Sequence, residues 1–409
     1  MRILIIKQLF HPEPTARSLD FAQKLVERGH EVQVITGFPS YPKGKIYPGF
    51  RQRLFHREMM GKIEVIRVPI FPDQSGRAIY RILNYLSYAI SAVVFGLPRA
   101  KKADVAFAYH GALPVGVPAM VNKWFRGVPF VYDINDIWPD TLEATGMLQN
   151  RTLLKIVEKW CNFTYRQANR ITVLSEGFRQ KLISRGVPPE KVVFINQWSR
   201  NKAIAEDDIP RAIAARFPDQ EVNVIYAGNL GRAQSLFSVV DAFDQLQEEL
   251  PSLSLTLLGD GVDRKGLIDY VREKKISNVR FIDRVPTTEV NYYLKSADAL
   301  LVHLKDDPLF RITIPSKIIG CHQAGRPILL GIKGDAEEVI RSSQAGFIFE
   351  PDNVEDLKRV LRKLVSLSPQ ELKFMGSCGS NYYQNNFTID ANMDRFNQIF
   401  QQAAAPAKS

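Results

Sequence analysis

"RILII" at residues 2–6 and "EVQVIT" at residues 31–36 frame the segment that decides the fold. Between these two apolar runs, residues 15–28 carry apolar side chains at helical spacing, and Gly29-His30 ends the helix. A strand, a helix and a second strand of these lengths form a βαβ unit, in which the two strands pair in parallel. The chain therefore begins with the unit from which doubly wound parallel sheets are built.

The same alternation of short apolar runs and helical segments continues along the chain. A polar, less regular stretch at residues 196–220 interrupts it, and a β-rich run at residues 222–227 restarts it. This pattern predicts an α/β fold of two Rossmann-like, doubly wound parallel-sheet domains that face each other across a cleft. We place the domains at residues 1–200 and 201–385. A helix within residues 386–409 is expected to pack back toward the N-terminal domain and to end in a frayed tail.

Positive charge is concentrated in the first half of the chain. Residues 1–200 hold 29 Lys or Arg against 15 Asp or Glu, a net charge of +14, whereas the remainder holds 25 against 28, a net charge of −3. A basic half indicates an anionic partner, and we favour an acidic membrane surface over nucleic acid because the sequence has no nucleic-acid-binding motif. The three cysteines lack metal-ligand spacing and the chain enters a strand at once, so we expect a cytoplasmic protein without zinc or a secretory leader.

Residues 78–97 are largely apolar, and 20 residues are enough to cross a membrane. Arg81, Asn84, Ser87 and Ser91 interrupt this run. Because a spanning helix would sever a folded α/β domain, we predict a helix that packs on the domain and rests on a membrane with an edge rich in tyrosine and arginine. A core helix without membrane contact is the alternative.

A helix N-terminus that carries a cation is predicted at residues 314–330, Ile-Pro-Ser-Lys-Ile-Ile-Gly-Cys-His-Gln-Ala-Gly-Arg-Pro-Ile-Leu-Leu. Pro315 suits the first helical turn, and Gly325 suits the position just after the helix. Ser316 and Lys317 then lie where free N–H groups and the helix dipole attract phosphate. The alternative is an ordinary connection with a solvent-facing lysine.

Two glycine-containing turns follow predicted strands of the same domain, Gly228-Asn229-Leu230-Gly231-Arg232 and Gly259-Asp260-Gly261. Glycine permits close approach of the backbone to a phosphate, and Arg232 adds a charged bidentate donor. Because parallel strands end at one edge of the sheet, both turns and the 314–317 segment are predicted to converge on a nucleotide site. Arg284 and Val285, at the end of the 279–285 run, are expected to border the base.

Polar and aromatic residues follow the strands of the first domain. The first strand leads into a loop with Thr15 and Arg17, and a later strand ends at His110. A third strand leads into residues 133–140, which include Asp133, Asp136, Trp138 and Asp140. Carboxylates bind sugar hydroxyls and an indole covers a sugar ring, so these strand ends predict a saccharide site. The alternatives are a partly buried, satisfied histidine at residue 110 and a helix-capping role for one of the aspartates.

These residues resemble the retaining glycosyltransferases of family 4, which have the GT-B fold, and among them the WbuB-like branch that builds bacterial surface polysaccharides. The resemblance covers almost the whole chain, and its more specific matches are Asp136-Ile-Trp-Pro-Asp140, residues 226–234, residues 259–261, Ile314-Pro-Ser-Lys317 and Ala324-Gly-Arg-Pro327. It implies that the C-terminal domain binds a nucleoside-diphosphate sugar, expected to be UDP-linked. The N-terminal domain would bind a lipid-linked saccharide at the cytoplasmic membrane.

The predicted enzyme transfers a hexosyl or N-acetylhexosaminyl group. Arg232 and Lys317 would neutralise the leaving diphosphate without a metal or cofactor, and His110 would contact the donor sugar. Residues predicted to bind the donor are Gly228, Asn229, Gly231, Gly259, Asp260, Gly261, Arg284, Val285, Pro315 and Ser316. Residues predicted to bind the acceptor are Thr15, Arg17, Asp136, Trp138 and Asp140.

Two departures from the family's pattern keep alternatives open. Many family members carry two glutamates eight residues apart on the final loop and helix, and the corresponding residues here are Ile312 and Gly320. The Gly-Gly pair of the family's first loop is here Thr15-Ala16. The alternatives are a nucleotide-sugar epimerase of the same two-domain fold and a non-catalytic nucleotide-sugar-binding subunit of a polysaccharide assembly complex.

Overall fold

The computed structural model describes residues 1–73, 78–110, 113–144, 147–199, 204–218 and 221–405, without the side chains of Ala78, His110 and Leu113. The chain folds into two units. Unit 1 comprises Met1–Asn196 and the residues from Asn392 onward, and unit 2 comprises Gln197–Ala391. Each unit is built on its own largely parallel sheet with helices, which confirms the predicted class of two parallel-sheet α/β domains.

The described part of unit 1 contains one sheet and the helices that cover it. Its strands are β1 (Arg2–Ile6), β2 (Glu31–Gly37), β3 (His56–Met60), β4 (Ile63–Val68), β5 (Val105–His110), β6 (Phe130–Ile134), β7 (Arg170–Val173) and β8 (Val192–Phe194). Its helices are α1 (Leu19–Glu27), α2 (Ala78–Ser91), α3 (Gly116–Arg126), α4 (Asp140–Ala144), α5 (Arg151–Gln167), α6 (Glu176–Ser184) and, at the end of the chain, α16 (Ile389–Ala404). A π-helical turn and a 3-10 turn extend α2 to Arg99.

Strand β1 lies in the middle of the eight-stranded sheet, whose order is β3-β4-β2-β1-β5-β6-β7-β8. It pairs in parallel with β2 on one side and β5 on the other, so that Ile5 lies opposite Val34 and Phe107. Only the edge pair of β3 and β4 is antiparallel among the described strands of this sheet. The chain changes direction across the sheet between β1 and β5, and ligands of such sheets bind beyond the carboxyl ends of the strands at this point.

Helix α1 is shorter than the predicted helix because its first residues form a loop. Arg17 has a φ of 47°, in the left-handed region, which does not continue a helix of L-residues. Lys7, buried at the end of β1, donates hydrogen bonds to the carbonyl oxygens of Ala16 and Arg17. The loop thus extends to Ser18 and leaves Thr15 beyond the carboxyl end of β1.

The C-terminal helix α16 supplies part of the core of unit 1. Its Phe396 ring contacts Phe21 of α1 at a centroid distance of 4.9 Å, and its Phe400 ring contacts Phe107 of β5 at 5.8 Å. His30 also hydrogen-bonds Asn397 of this helix at 2.9 Å. These contacts tie the end of the described chain to its first βαβ unit.

Unit 2 repeats the doubly wound arrangement. Its strands are β9 (Val222–Asn229), β10 (Leu253–Asp260), β11 (Val279–Ile282), β12 (Ala299–His303), β13 (Ile328–Gly331) and β14 (Gly346–Ile348). Its helices are α7 (Arg211–Ala214), α8 (Leu236–Leu246), α9 (Arg264–Glu273), α10 (Thr287–Lys295), α11 (Pro308–Arg311), α12 (Ser316–Ala324), α13 (Asp335–Ser343), α14 (Val354–Val365) and α15 (Pro369–Asn386).

The six-stranded sheet of unit 2 has the order β11-β10-β9-β12-β13-β14, and all its described pairs are parallel. One buried cluster packs α10, α12 and α15 on one face, and a second packs α8, α9 and α14 on the other. Because β9 is the first strand and β12 lies on its other side, the chain changes direction between these two strands. The loops after β9 and β12 therefore border the position where a ligand is expected.

Candidate functional site

Lys317 lies over the carboxyl end of β9 in unit 2. Its Nζ is 3.9 Å from the centre of the Tyr226 ring and donates a hydrogen bond to the Tyr226 hydroxyl. That hydroxyl in turn donates to the carbonyl oxygen of Asn229 at 2.6 Å. Burial lowers the pKa of Lys317 to about 8. The lysine is thus held at the sheet edge in a partly dry environment, where a bound anion would stabilise its charged form.

Helix α12 begins at Ser316, with Pro315 as the residue that precedes it and Gly325 in the left-handed region (φ 65°) at its end. Ser316 and Lys317 are therefore the first two helical residues, as the sequence predicts. Ser316 is exposed, and the N–H groups of the first turn of a helix have no partner within the helix. The start of α12 combines these donors with the cation of Lys317, which is an arrangement suited to a diphosphate.

The glycines after β9 and β10 keep the two turns close together. The two strands pair in register, with Gly228 opposite Gly259 and Asn229 opposite Asp260. A Cβ atom on Gly259 would clash with the carbonyl oxygen of Gly228, and one on Gly228 would clash with the Lys317 side chain. A Cβ atom on Gly261 would likewise clash with the carbonyl oxygen of Leu230. These glycines leave backbone, not side chains, where the two turns approach each other beside Lys317.

Gly259→Ala is expected to destabilise unit 2 by about 1–3 kcal/mol and to weaken nucleotide binding, because the added methyl group forces the two turns apart. Gly259 also has a φ of 143°, which L-residues rarely adopt. The melting temperature of each variant is measured with and without UDP and compared with that of wild type. Gly266→Ala in α9 is the matched control: its Cβ would only touch Phe237, at 3.5 Å, and alanine favours a helix. Equal melting temperatures for the two variants would contradict the proposed role of Gly259.

Arg232 and the loop after β11 lie on the same side of the sheet as Lys317. Arg232 is exposed at the start of a one-turn segment that directly follows the turn after β9. Arg284, exposed, and Val285, half-buried, follow β11, whose Ile282 pairs with Leu258 next to the second glycine turn. The structure thus places all the predicted donor residues around the carboxyl ends of β9, β10 and β11 and the start of α12.

Two further residues of this site were not among the predicted site residues. Tyr226 supports Lys317, although its position within a buried strand predicts only a core residue. His303, at the end of β12, is buried and fixes the turn that contains Arg232: its Nδ1 lies 2.8 Å from the Gln234 carbonyl oxygen, and its Nε2 accepts from the N–H of Asp352 at 3.1 Å. Burial lowers the pKa of His303, so the neutral ring with a proton on Nδ1 satisfies both bonds.

Unit 1 has a cavity of about 540 Å³ beyond the carboxyl ends of β1, β2 and β5. The first loop contributes Thr15 to its wall, β5 contributes Tyr109, and the start of α2 contributes Arg81 and Tyr85. The buried carboxylate of Glu13 holds the first loop against the loop after β2, because it accepts hydrogen bonds from the N–H groups of Ser40 and Tyr41, both at 2.8 Å. The cavity is large enough for a saccharide and offers hydroxyl, carboxylate and aromatic groups.

Arg17 corrects one sequence prediction. Its side chain is only 1% exposed and forms an ion pair with Asp133, which is fully buried at the end of β6. Asp133 also accepts from the Thr172 hydroxyl at 2.5 Å and from the Asn135 amide at 3.1 Å. Arg17 and Asp133 therefore stabilise the interior of unit 1 and are not available to bind an acceptor.

Asp140 is held in place by two cations. Its carboxylate forms ion pairs with Lys181, at 3.0 Å, and with Arg185. Burial opposes ionisation of this carboxyl, but the two cations outweigh it and keep its pKa below the usual value. Arg185 also donates to the carbonyl oxygen of Trp138 at 3.0 Å. Asp140 thus fixes the segment after β6, and its contact with an acceptor stays a prediction.

Asp136 and Trp138 stay candidates for contact with an acceptor. Asp136 is exposed, and its charge adds to burial in raising the pKa of Tyr85, which lines the cavity. Trp138 is half-buried on the same segment. For His110, the structure gives the backbone at the end of β5, while its side chain lies outside the described residues.

Within the described residues, no three or more His, Cys, Asp or Glu side chains lie close enough together to hold a metal ion. An ion-pair network before α12 joins Asp306 to Arg311 and Lys333, at 2.7 and 3.4 Å, and Arg311 lowers the pKa of Asp306 to about 2. This carboxylate is already neutralised by cations. The expectation that no metal takes part in the reaction stays a prediction.

Both halves of the chain match known protein families. Residues 14–198 match the family described as "Glycosyl transferase 4-like domain", and residues 211–379 match "Glycosyl transferases group 1". Together the two matches cover most of the chain and correspond closely to the two structural units.

Individual relatives agree with the family matches. The chain is 22% identical to the probable glycosyltransferase WbjE of Pseudomonas aeruginosa, over 73% of this chain and 74% of the relative. It is 25% identical to the putative colanic acid biosynthesis glycosyl transferase WcaI of Escherichia coli, over 78% and 80% of the two chains. Among solved structures, HepE of Anabaena in complex with UDP and glucose has a TM-score of 0.67 at 15% identity and covers 98% of this chain and 100% of its own. This likeness shows a shared two-domain fold.

Proposed function

This chain belongs to the family 4 glycosyltransferases of the GT-B fold, and on that premise we propose that it transfers a sugar from a UDP-linked donor to a lipid-linked saccharide. The product would be a precursor of a bacterial surface polysaccharide. Transfer would retain the anomeric configuration and move a hexosyl or N-acetylhexosaminyl group. The protein would act in the cytoplasm, bound peripherally to the cytoplasmic membrane through its basic N-terminal half.

The observation that carries the donor assignment is the position of Lys317 at the start of α12, beside the glycine turns of β9 and β10. A diphosphate placed there would accept hydrogen bonds from the first turn of α12 and would meet the charge of Lys317. Arg232, exposed on the neighbouring turn, could add a bidentate contact. Both cations could stabilise the negative charge that develops on the diphosphate as the sugar leaves, and Lys317 is preorganised for this by Tyr226.

The choice of UDP rests on likeness to other proteins. HepE, which shares the fold of this chain, was solved in complex with UDP and glucose. The loop of Arg284 and Val285, at the edge of the site, is where we propose that the base binds. The acceptor is proposed to enter the unit 1 cavity, where Thr15, Tyr109 and Asp73 can contact its hydroxyl groups and sugar rings.

The experiment that tests the proposal has two parts. First, the melting temperature of the purified protein is measured with UDP, GDP and ADP without added metal; binding to the native state raises it by mass action. A rise with UDP alone supports the donor class. Second, radiolabelled UDP-sugars are incubated with the protein and a bacterial lipid extract. Transfer of label to lipid supports the full proposal, and no stabilisation by any nucleotide would refute it.

UDP affinity is expected to fall as the pH rises above about 8, by up to about tenfold per pH unit, because free Lys317 loses its proton in this range. Its pKa is lowered by burial to about 8, and a bound diphosphate favours the charged amine and so raises that pKa. Binding therefore takes up a proton between the two pKa values, and the proton becomes scarcer as the pH rises. Isothermal titration calorimetry with UDP in buffers of different ionisation enthalpy measures both effects.

Lys317→Arg is the matched variant for this pH dependence. Arginine stays protonated throughout the range, so the affinity of the variant should be independent of pH between about 8 and 9, below the ionisation of the uracil N3–H, whatever its absolute value. A wild-type affinity that is equally flat would show that the ammonium of Lys317 does not meet the diphosphate.

A non-catalytic nucleotide-sugar-binding subunit is the second candidate function. Ile312 and Gly320 stand where many family members have glutamates, and a Cβ atom on Gly320 would meet Leu294 at an ordinary contact distance of 3.8 Å. Stabilisation by UDP without transfer from any UDP-sugar would favour this role. Both matched families are glycosyltransferase families, which disfavours the epimerase.

A further inference from the structure

Helix α2 turns its apolar side toward solvent and its polar side toward unit 1, the reverse of an ordinary surface helix. Its solvent-facing side consists of Ile79, Ile82, Leu83, Leu86, Ile90 and, in the π-helical turn, Val94, and each of these side chains is between 42 and 61% exposed. No charged residue lies among them on that side. A helix on the surface of a soluble domain normally turns its apolar side inward.

The polar residues of α2 instead face unit 1. Asn84 accepts from the Gln8 side chain and donates to the Phe71 carbonyl oxygen, both at 2.6 Å. The Ser87 hydroxyl accepts from the N–H of Phe71 at 2.8 Å, and the fully buried Tyr88 donates to the Ile35 carbonyl oxygen at 2.9 Å. These bonds hold the helix flat on the domain with its apolar side outward. Residues 79–99 are long and apolar enough to span a membrane by length and composition alone, but these inward bonds favour a helix that lies in the plane of a surface.

Helices α3 and α5 extend the apolar surface. On α5, Leu153, Ile156, Trp160 and Phe163 recur at spacings of three and four residues and are 36 to 57% exposed. At the end of α3, Trp124 is 53% and Phe125 is 82% exposed. The Trp124 ring lies 6.3 Å from the Phe163 ring, so the two helices share one aromatic patch.

The three helices are adjacent on unit 1. Helix α3 contacts both α2 and α5. At one end, Arg126 donates to the carbonyl oxygens of Leu97 and Ala100, both at 2.9 Å, and Lys123 donates to that of Gln167 at 2.6 Å. At the other end, Arg81 lies 3.5 Å from the Met147 sulfur. We call the exposed apolar residues of these adjacent helices, α2, α3 and α5, the apolar face.

The charge around the apolar face identifies its partner. The segments 78–99, 116–126 and 151–167 hold eight Lys or Arg and one Glu, a net charge of +7. A second copy of the chain would bring the same positive charge against this face, which disfavours self-association. An anionic bilayer complements both properties, because its headgroups attract the cations and its interface accepts tryptophan, phenylalanine and aliphatic side chains.

We propose that the apolar face inserts into the headgroup region of an anionic lipid bilayer and holds unit 1 there by hydrophobic contact as well as by charge. The first turns of α2 also line the unit 1 cavity, through Arg81, Asn84 and Tyr85. Insertion therefore places the cavity at the membrane surface. Resting on the proposed function, this orientation lets a lipid-linked saccharide enter the cavity while its lipid stays in the bilayer.

The test is co-sedimentation of the full chain with vesicles of phosphatidylethanolamine and phosphatidylglycerol, at low and at high salt, with phosphatidylcholine vesicles for comparison. Two double variants place charges at exposed positions of the apolar face: Ile82→Asp/Leu86→Asp on α2 and Ile156→Asp/Trp160→Asp on α5. We expect each double variant to weaken binding to the anionic vesicles about tenfold or more. Phe374→Asp in α15, where the phenylalanine is 67% exposed on unit 2, is the matched control and should bind like wild type. Part of the wild-type binding should persist at high salt.

Stabilisation by UDP, measured for every variant, separates this inference from the proposed function. Variants that retain stabilisation by UDP and lose vesicle binding support the apolar face. The proposal is overturned if wild type does not bind anionic vesicles, or if high salt abolishes the binding and the aspartate variants bind like wild type. It is also overturned if wild type is a dimer that the aspartate substitutions dissociate. Absence of UDP stabilisation with intact vesicle binding would overturn only the donor assignment.

Discussion

Lys317→Ala is expected to lower kcat by about one to three powers of ten, the loss that follows removal of one preorganised electrostatic donor. The diphosphate gains negative charge as the sugar leaves, so the contact with Lys317 is stronger in the transition state than in the bound donor. The effect should therefore appear mainly in kcat and less in KM for the UDP-sugar. Arg232→Ala should act in the same direction. The measurement is steady-state transfer of labelled sugar to the lipid acceptor.

Lys373→Ala is the matched control, since Lys373 is an exposed lysine of unit 2 on α15, away from the glycine turns. It should leave both constants unchanged. Wild-type kcat in both the Lys317 and the Arg232 variants would remove the proposed catalytic site. An increase in KM alone would assign the two cations to donor binding and not to catalysis.

Asp133→Asn is expected to destabilise unit 1 by about 3–5 kcal/mol, the cost of leaving one buried charge without its partner. The Arg17 and Asp133 side chains are 1 and 0% exposed, and the pair joins residues 116 positions apart in the sequence. Its loss removes the carboxylate that pairs with the buried Arg17 guanidinium. Differential scanning calorimetry of the full chain measures the change, and UDP, which should stabilise only unit 2, identifies which transition belongs to unit 1.

Two further variants make this prediction specific. Glu31→Gln removes an exposed carboxylate that pairs with Arg2 and Lys101, both at 3.0 Å, and should cost less than about 1 kcal/mol. Arg17→Met/Asp133→Leu replaces the buried pair by apolar side chains and should recover much of the lost stability. If Asp133→Asn costs no more than Glu31→Gln, the buried pair does not stabilise unit 1.

The architecture was predictable because its strands are buried on both faces and read as continuous apolar runs, as in β1 and β2. Strand β3 was not predicted: its sequence, His56-Arg-Glu-Met-Met60, alternates half-buried and exposed positions at the sheet edge and includes two charged residues. The start of α1 was also misplaced, since nothing local shows that Arg17 adopts a left-handed conformation.

The predictable part of the site follows from position relative to a strand or helix. Lys317 and the glycines stand at element ends, where topology alone brings them together. Tyr226, Arg17 and Asp140 could not be assigned because their roles depend on distant partners: Lys317 for Tyr226, Asp133 for Arg17, and Arg185 for Asp140, separated by 91, 116 and 45 positions. A sequence shows that a cation follows a strand; it does not show which carboxylate the fold brings to it.

The return of α16 to unit 1 has a consequence for synthesis of the protein. Phe21 and Phe107 are made early, but their contacts Phe396 and Phe400 follow only after all of unit 2 has been translated. At bacterial and eukaryotic elongation rates this delay is about 10–40 s. During it, nascent unit 1 lacks the aromatic contacts of α16, because unit 2 is still being translated. Unit 1 is therefore begun first but can complete its core only after the translation of unit 2.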